Sequence, residues 1–175
     1  MTGLEWADLQ LIYEKHIRRI AKLQFTANYN YEDRITDVIG VRVLHLFKEE
    51  WAGIHDYITE IWELKEMPIA YVRKGDRDEL INLFKDKGCL VKNHQYGYRS
   101  VHYLVKSQPS KELHVTEVQV RTIFEEGWSE IDHRVRYPYH RDDPALLAQS
   151  RILNGLAGSA DDMGTELRKL LEGQH

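Results

Sequence analysis

Two strand-like segments, residues 98–106 and 113–122, are separated only by the turn-forming run Ser107-Gln-Pro-Ser110, and so point to an antiparallel hairpin. Side chains alternate along a strand, so Tyr98, Ser100 and His102 share one side while Arg99, Val101, Tyr103 and Val105 share the other. In the second segment Glu117, Gln119 and Arg121 line one side, and Val118 and Val120 the opposite one. An acid, an amide and a guanidinium in a row are costly to bury unless they face a cleft. The hairpin therefore constrains the fold to a sheet with one apolar face against a core and one polar face over a cleft.

The rest of the chain supplies what such a sheet needs. Apolar residues at Leu9, Ile12, Tyr13, Ile17, Ile20 and Leu23 predict a first helix, and the β-branched run 35–47 a buried strand with Gly40 as a bulge or close approach. Trp51, Ile54, Ile58 and Ile61 mark a second helix, residues 68–72 a short strand, and 75–87 a charged helix closed by Gly88. After the hairpin, Phe124, Trp128, Ile131 and Val135 place a helix stopped by Pro138. Asp143-Pro144 then opens a last helix over 143–171, with Leu146, Leu153, Leu156, Ala160, Met163, Leu167 and Leu170 as its inner stripe. This order predicts an α/β (α+β) mixed sheet with helices packed on it, in a single domain over 1–175.

Composition narrows the function classes. The 42% hydrophobic and 30% charged content is that of a globular protein, and no apolar run reaches the roughly 18–20 residues that cross a bilayer. No signal-peptide pattern opens the chain, and the single cysteine, Cys89, excludes an internal disulfide and a multi-cysteine zinc site, so a reducing, cytoplasmic location is expected. A net charge of −4 gives no reason to expect nonspecific nucleic-acid binding. Anionic substrates would have to be held by local clusters, of which Arg18, Arg19 and Lys22 form one, 92–99 a second and 134–141 a third. No Walker lysine loop, dinucleotide glycine fingerprint or His-Glu-x-x-His pair appears.

Asp37 precedes the first long strand and Glu117 lies on the hairpin; carboxylates brought together from two strands suit Mg²⁺, which keeps several waters and takes phosphate oxygens. The alternative is a turn aspartate and a glutamate paired with an arginine. Tyr98 could stack on a base, or sit half-buried at a sheet edge. Arg99, Arg121 and His102 could hold phosphates, and His133 could reach the same pocket from the following helix.

Taken in order, Asp37-Val-Ile-Gly-Val-Arg42, Gly97-Tyr-Arg-Ser-Val-His102, Glu117-Val-Gln-Val-Arg-Thr122 and Trp128-Ser-Glu-Ile-Asp-His133 resemble the synthetase domain of the RelA/SpoT alarmone enzymes, and of its small alarmone synthetases in particular. The trailing Leu156-Ala-Gly-Ser-Ala-Asp-Asp-Met163 continues the match, with a synthetase core over about 31–140. The resemblance implies a nucleotidyltransferase-like mixed sheet of about five strands flanked by helices, with a C-terminal helical extension. It also implies Mg²⁺-dependent transfer of pyrophosphate from ATP to the 3′-hydroxyl of GDP or GTP. Asp37 would then be a metal ligand, and Glu117 a ligand or the base for the 3′-hydroxyl. Tyr98, Arg99, His102, Gln119 and Arg121 would form the acceptor site, and Arg18, Arg19, Lys22, Arg42 and His133 the thinner donor site. Relatives of this kind include toxins that act on adenosine nucleotides or the tRNA 3′ end. A silent guanine-nucleotide-binding module and a homo-oligomer built through the last helix are the remaining alternatives. Two departures stand out: no Arg-x-Lys-x-x-Ser stretch precedes Asp37, and the usual Lys-x-Asn-Gly-Tyr appears as Lys92-Asn-His-Gln-Tyr-Gly-Tyr98. The first means either a degenerate donor site or a segment absent from the chain as given.

Overall fold

A computed structural model describes residues 39–108, 111, 113–136 and 142–173. Five strands, β1 (Ile39–His45), β2 (Ile69–Val72), β3 (Leu90–Asn93), β4 (Ser100–Ser107) and β5 (His114–Thr122), form one sheet in the order β1-β5-β4-β2-β3. Four helices accompany them: α1 (Glu50–Ile61), α2 (Asp78–Asp86), α3 (Ile123–Arg136) and α4 (Pro144–Glu172). The outer pairs β1–β5 and β2–β3 are parallel, whereas β5–β4 and β4–β2 are antiparallel. The expected mixed sheet and C-terminal helix are thus present, and the hairpin forms its centre.

The alternation of the hairpin sorts the two faces. Val101, Tyr103, Val105, Val118 and Val120 are buried on one side with Trp51 and Ile58 of α1 and Phe84 of α2. Trp51, His55 and Ile58 fall at helical spacing, which turns one stripe of α1 onto the sheet. At the middle of this layer the Tyr103 hydroxyl accepts from Trp51 Nε1 at 3.1 Å and meets His55 Nδ1 at 3.1 Å. Cys89 is buried in the same core, and burial pushes its thiol up to about 11, so it is not a nucleophile at neutral pH.

Four local readings change. Over its described residues, Ile39–His45, β1 runs in unbroken register, so Gly40 is no bulge; it stands opposite Glu117 without a side chain. β3 carries no strong strand signal, because its four residues, Leu-Val-Lys-Asn, hold only two apolar side chains; parallel pairing with β2 makes it a strand. Tyr98 precedes β4, in a turn where Gly97 takes φ +80°. The largest change is in α4, where four residues of the predicted inner stripe face outward: Leu156, Met163, Leu167 and Leu170 are more than 60% exposed, while Leu146, Leu153 and Ala160 are half-buried. Its buried stripe is Asn154, Ala157, Gly158, Asp161 and Thr165. Hydrogen bonds to the sheet ends and the small size of Ala157 and Gly158 decide this orientation, as the site shows. Asp143 caps α4 as expected, accepting from Ala145 N at 2.9 Å and Leu146 N at 3.0 Å. The helix predicted before β1 lies outside the described residues.

Removing the Tyr103 hydroxyl leaves Trp51 Nε1 without its acceptor and His55 Nδ1 without its partner. Tyr103→Phe should cost about 1–3 kcal/mol in urea unfolding at unchanged slope. A stability equal to that of the parent would show that the hydroxyl is not what satisfies Trp51 and His55.

Candidate active site

On the other face of the hairpin, polar side chains from neighbouring strands meet in one hydrogen-bonded chain. Register sets it up: His102 lies opposite Gln119, and Arg42 of β1 lies on the other flank of Gln119. Tyr98 Oη meets His102 Nε2 at 2.9 Å, and His102 Nδ1 meets Glu117 Oε1 at 3.0 Å. A neutral imidazole protonated at Nδ1 satisfies both contacts, accepting from the phenol and donating to the carboxylate. Gln119 Nε2 donates to Glu117 Oε2 at 2.7 Å, and Arg121 donates to Gln119 Oε1. The hydrogen bond from His102 holds the Glu117 carboxyl below the usual carboxylate range, with Gln119 and Arg121 acting in the same direction against burial. Glu117 is therefore ionised at neutral pH. Tyr98 goes the other way: burial raises its phenol above the ordinary value, so it keeps its proton.

Aromatic rings surround this chain. The Tyr71 ring centre lies 4.9 Å from that of His102 and 6.0 Å from that of Tyr98, and His94 is 5.3 Å from Tyr98. The Arg121 guanidinium sits 5.0 Å from the centre of the Tyr98 ring. Tyr98 also lines a cavity of about 300 Å³, closed by Tyr96 on one side and by Trp128, Ser129, Asp132 and His133 of α3 on the other. That volume is at the lower end of the roughly 300–1,000 Å³ usual for small-molecule sites.

A second set of contacts ties α3 to the strands. Glu126 bridges two arginines, with Oε1 2.7 Å from Arg42 and Oε2 3.2 Å from Arg121. Glu130 reaches Arg42 at 2.5 Å, and Ser129 accepts from Arg121 at 3.0 Å.

The structure thus brings together Tyr98, His102, Glu117, Gln119 and Arg121, with Arg42 beside them and His133 on the wall of the Tyr98 cavity. His133 lines that cavity together with Tyr98. Arg99 is not part of this face. Its guanidinium is buried and held by Asp76, at 2.6–3.0 Å, and by Glu125, on the side that Val101 and Tyr103 share. Asp37, Arg18, Arg19 and Lys22 lie outside the described residues. Tyr71 and Glu126 were not anticipated. Tyr71 was legible, since it alternates with the small apolar Ala70 and Val72; Glu126 is one of several acids on a helix, and only the tertiary fold singles it out.

No group of three or more His, Cys, Asp or Glu converges on a metal-sized position among the described residues. The donor chemistry that the polar face does offer is a single ionised carboxylate, Glu117. It fits a hard cation that takes most of its ligands from water and phosphate.

Arg99 neutralises two buried carboxylates, so Arg99→Met should destabilise the fold by about 3–5 kcal/mol. Urea unfolding at neutral pH measures this, and a loss below 1 kcal/mol would contradict the pairing.

Residues 8–142 match the family described as the region found in RelA/SpoT proteins. GTP pyrophosphokinase YwaC of Bacillus subtilis (strain 168) is 25% identical over 120 residues, 66% of this chain and 49% of the relative. The chain spans about half the length of that curated relative. Among solved structures, small alarmone synthetase 1 from Bacillus subtilis aligns with a TM-score of 0.62 at 17% identity, covering 90% of this chain and 76% of the other. Its form bound to the product pppGpp aligns at 0.56 with 17% identity, covering 89% and 75%. A GTP pyrophosphokinase family protein from Streptococcus pneumoniae aligns at 0.58 with 20% identity, covering 92% and 73%. These likenesses establish the shared fold, and the family match over most of the chain establishes that it belongs to the RelA/SpoT family.

Proposed function

We propose that the protein transfers pyrophosphate from ATP to the 3′-hydroxyl of GDP or GTP with Mg²⁺, producing (p)ppGpp. The observation that carries this reading is the unbroken chain from Tyr98 through His102 and Glu117 to Gln119 and Arg121. It puts an aromatic platform, an ionised carboxylate and a guanidinium side by side on one sheet face. Relatives titled as pyrophosphokinases, and neighbours solved with pppGpp and AMPCPP, support the same substrates.

In this reading the acceptor base stacks on Tyr98 in the cavity below α3, where stacking contributes about 1–3 kcal/mol. Arg42 faces the phosphates from β1, the buried Arg121 supplies positive charge behind them from β5, and His102 fixes the direction of the Glu117 carboxylate. The 3′-oxygen forms a bond to the β-phosphorus of ATP as the bond from that phosphorus to the AMP oxygen breaks. Glu117, ionised and within the polar chain, receives the proton of the attacking hydroxyl. Glu117 and Asp37 are the residues that would hold Mg²⁺, which supplies neutralisation of phosphate charge when bound. Arg18, Arg19 and Lys22 are the candidates for the remaining donor contacts.

Incubation with ATP, Mg²⁺ and GDP or GTP should yield a 3′-pyrophosphorylated product, and Glu117→Gln should lower kcat by at least about 10²-fold. Product formed equally well by Glu117→Gln, or by adenosine acceptors alone, would overturn the assignment. The pH dependence provides a further check with a definite sign. Because His102 is the main cause of the low Glu117 pKa, His102→Ala should raise that pKa. The acid limb of the kcat profile should then move to higher pH; a limb that stays in place would remove Glu117 from the base role.

A further inference from the structure

We propose that Asn154, in the middle of α4, is a positioning residue for the acceptor platform; the inference rests on the reading of Tyr98 as the surface that takes the acceptor base. Asn154 is 2% exposed and lies on the inward stripe of a helix that turns Leu156, Leu167 and Leu170 outward. An amide there is costly unless both its ends are satisfied, and they are. Its Nδ2 donates to the Gly97 carbonyl at 3.0 Å, and its Oδ1 accepts from Arg73 Nη1 at 3.0 Å. Gly97 is the residue before Tyr98. It sits at φ +80°, its N–H bonds His94 O at 3.0 Å, and a Cβ there would stand 3.0 Å from Asn154 Oδ1. The turn is thus shaped against the Asn154 amide, in a conformation and a space that only glycine accepts.

The other side of Tyr98 is also fixed. Arg99 is gripped by Asp76 and Glu125, and Asp76 in turn accepts from the Arg73 backbone N–H at 2.7 Å. Arg73 links both anchors, one through its side chain and one through its backbone. Tyr98 is therefore suspended between two immobilised neighbours, and its ring direction follows from theirs. A ring that must meet a base face-on loses more from a small tilt than from a small loss of global stability. α4 takes part in the site without touching its polar chain.

The amide is required because it donates and accepts at once. Asn154→Asp keeps the acceptor for Arg73, beside which the new carboxylate stays ionised, but it cannot donate to Gly97 and sets an oxygen against that carbonyl. Three readouts on the full chain decide the matter. For Asn154→Asp the KM for the guanosine acceptor should rise about tenfold while the KM for ATP stays within about twofold. Amide exchange should quicken most over 94–98, and the thermal midpoint should fall by no more than the few degrees that one lost buried hydrogen bond costs. An unchanged acceptor KM overturns the proposal, as does an equal rise in both KM values with faster exchange throughout the protein, which marks a merely structural role. If the parent chain makes no 3′-pyrophosphorylated product, the functional reading falls. The exchange of 94–98 then still decides whether Asn154 holds the turn, and slow exchange in Asn154→Asp refutes that part independently.

Discussion

The register of β5 between β1 and β4 is the constraint on which the rest depends. On one face of β5, Val118 and Val120 lie in the core with Tyr103 and Trp51, flanked by Thr116 and Thr122, while on the other Glu117, Gln119 and Arg121 are charged or amide. A slip by one residue would drive Glu117, Gln119 and Arg121 into that core, with no partners to compensate them. The polar residues therefore enforce the pairing as strongly as the valines do. Once the register is set, Gln119 has His102 on one flank and Arg42 on the other, and the hydrogen-bonded chain follows from strand spacing alone.

Two arginines one strand apart illustrate how the faces divide the work. Arg121 is nearly inaccessible yet stands at the cleft, shared among Gln119, Ser129 and Glu126. Arg99 is a neighbour of Tyr98 in the chain but faces the other way, and its two acidic partners make it a fastening between the sheet, the segment after β2 and α3. Glycine and asparagine complete the fastening at Gly97 and Asn154. Adjacent positions thus hold one residue on the polar face and one that anchors the turn beneath it.

Much of this was legible from period and turn chemistry. The alternation from Tyr98 to Val105 and from Glu117 to Val120 placed the two faces correctly, although Tyr98 itself stands outside the strand. The same alternation already set Arg99 apart from His102, so grouping the two as phosphate holders followed the chemistry of their side chains rather than the alternation. α4 shows the limit of periodicity. Its leucines repeat at helical spacing and read as an inner stripe, yet Thr122 donates to Asp161 at 2.9 Å and Gly158 lies under Arg99. Those contacts orient the helix by polar and small residues, a preference with no local signature. β3 was missed for a related reason: four half-polar residues become a strand only because β2 offers a parallel edge.

The parallel pairing of β1 with β5 has a consequence for how the molecule comes into being. Ile39 pairs with Thr116, 77 residues further on (116 − 39), and Arg42 with Gln119. Closing so long a span costs entropy that no local contact repays, so β1 and β5 meet late in folding. The segments of β1, α1, β2 and α2 all leave the ribosome before the hairpin that carries the polar face. Glu117 finds its neighbours only when the hairpin has emerged and the first strand is captured along its edge. The polar chain is thereby withheld until synthesis of the sheet is finished.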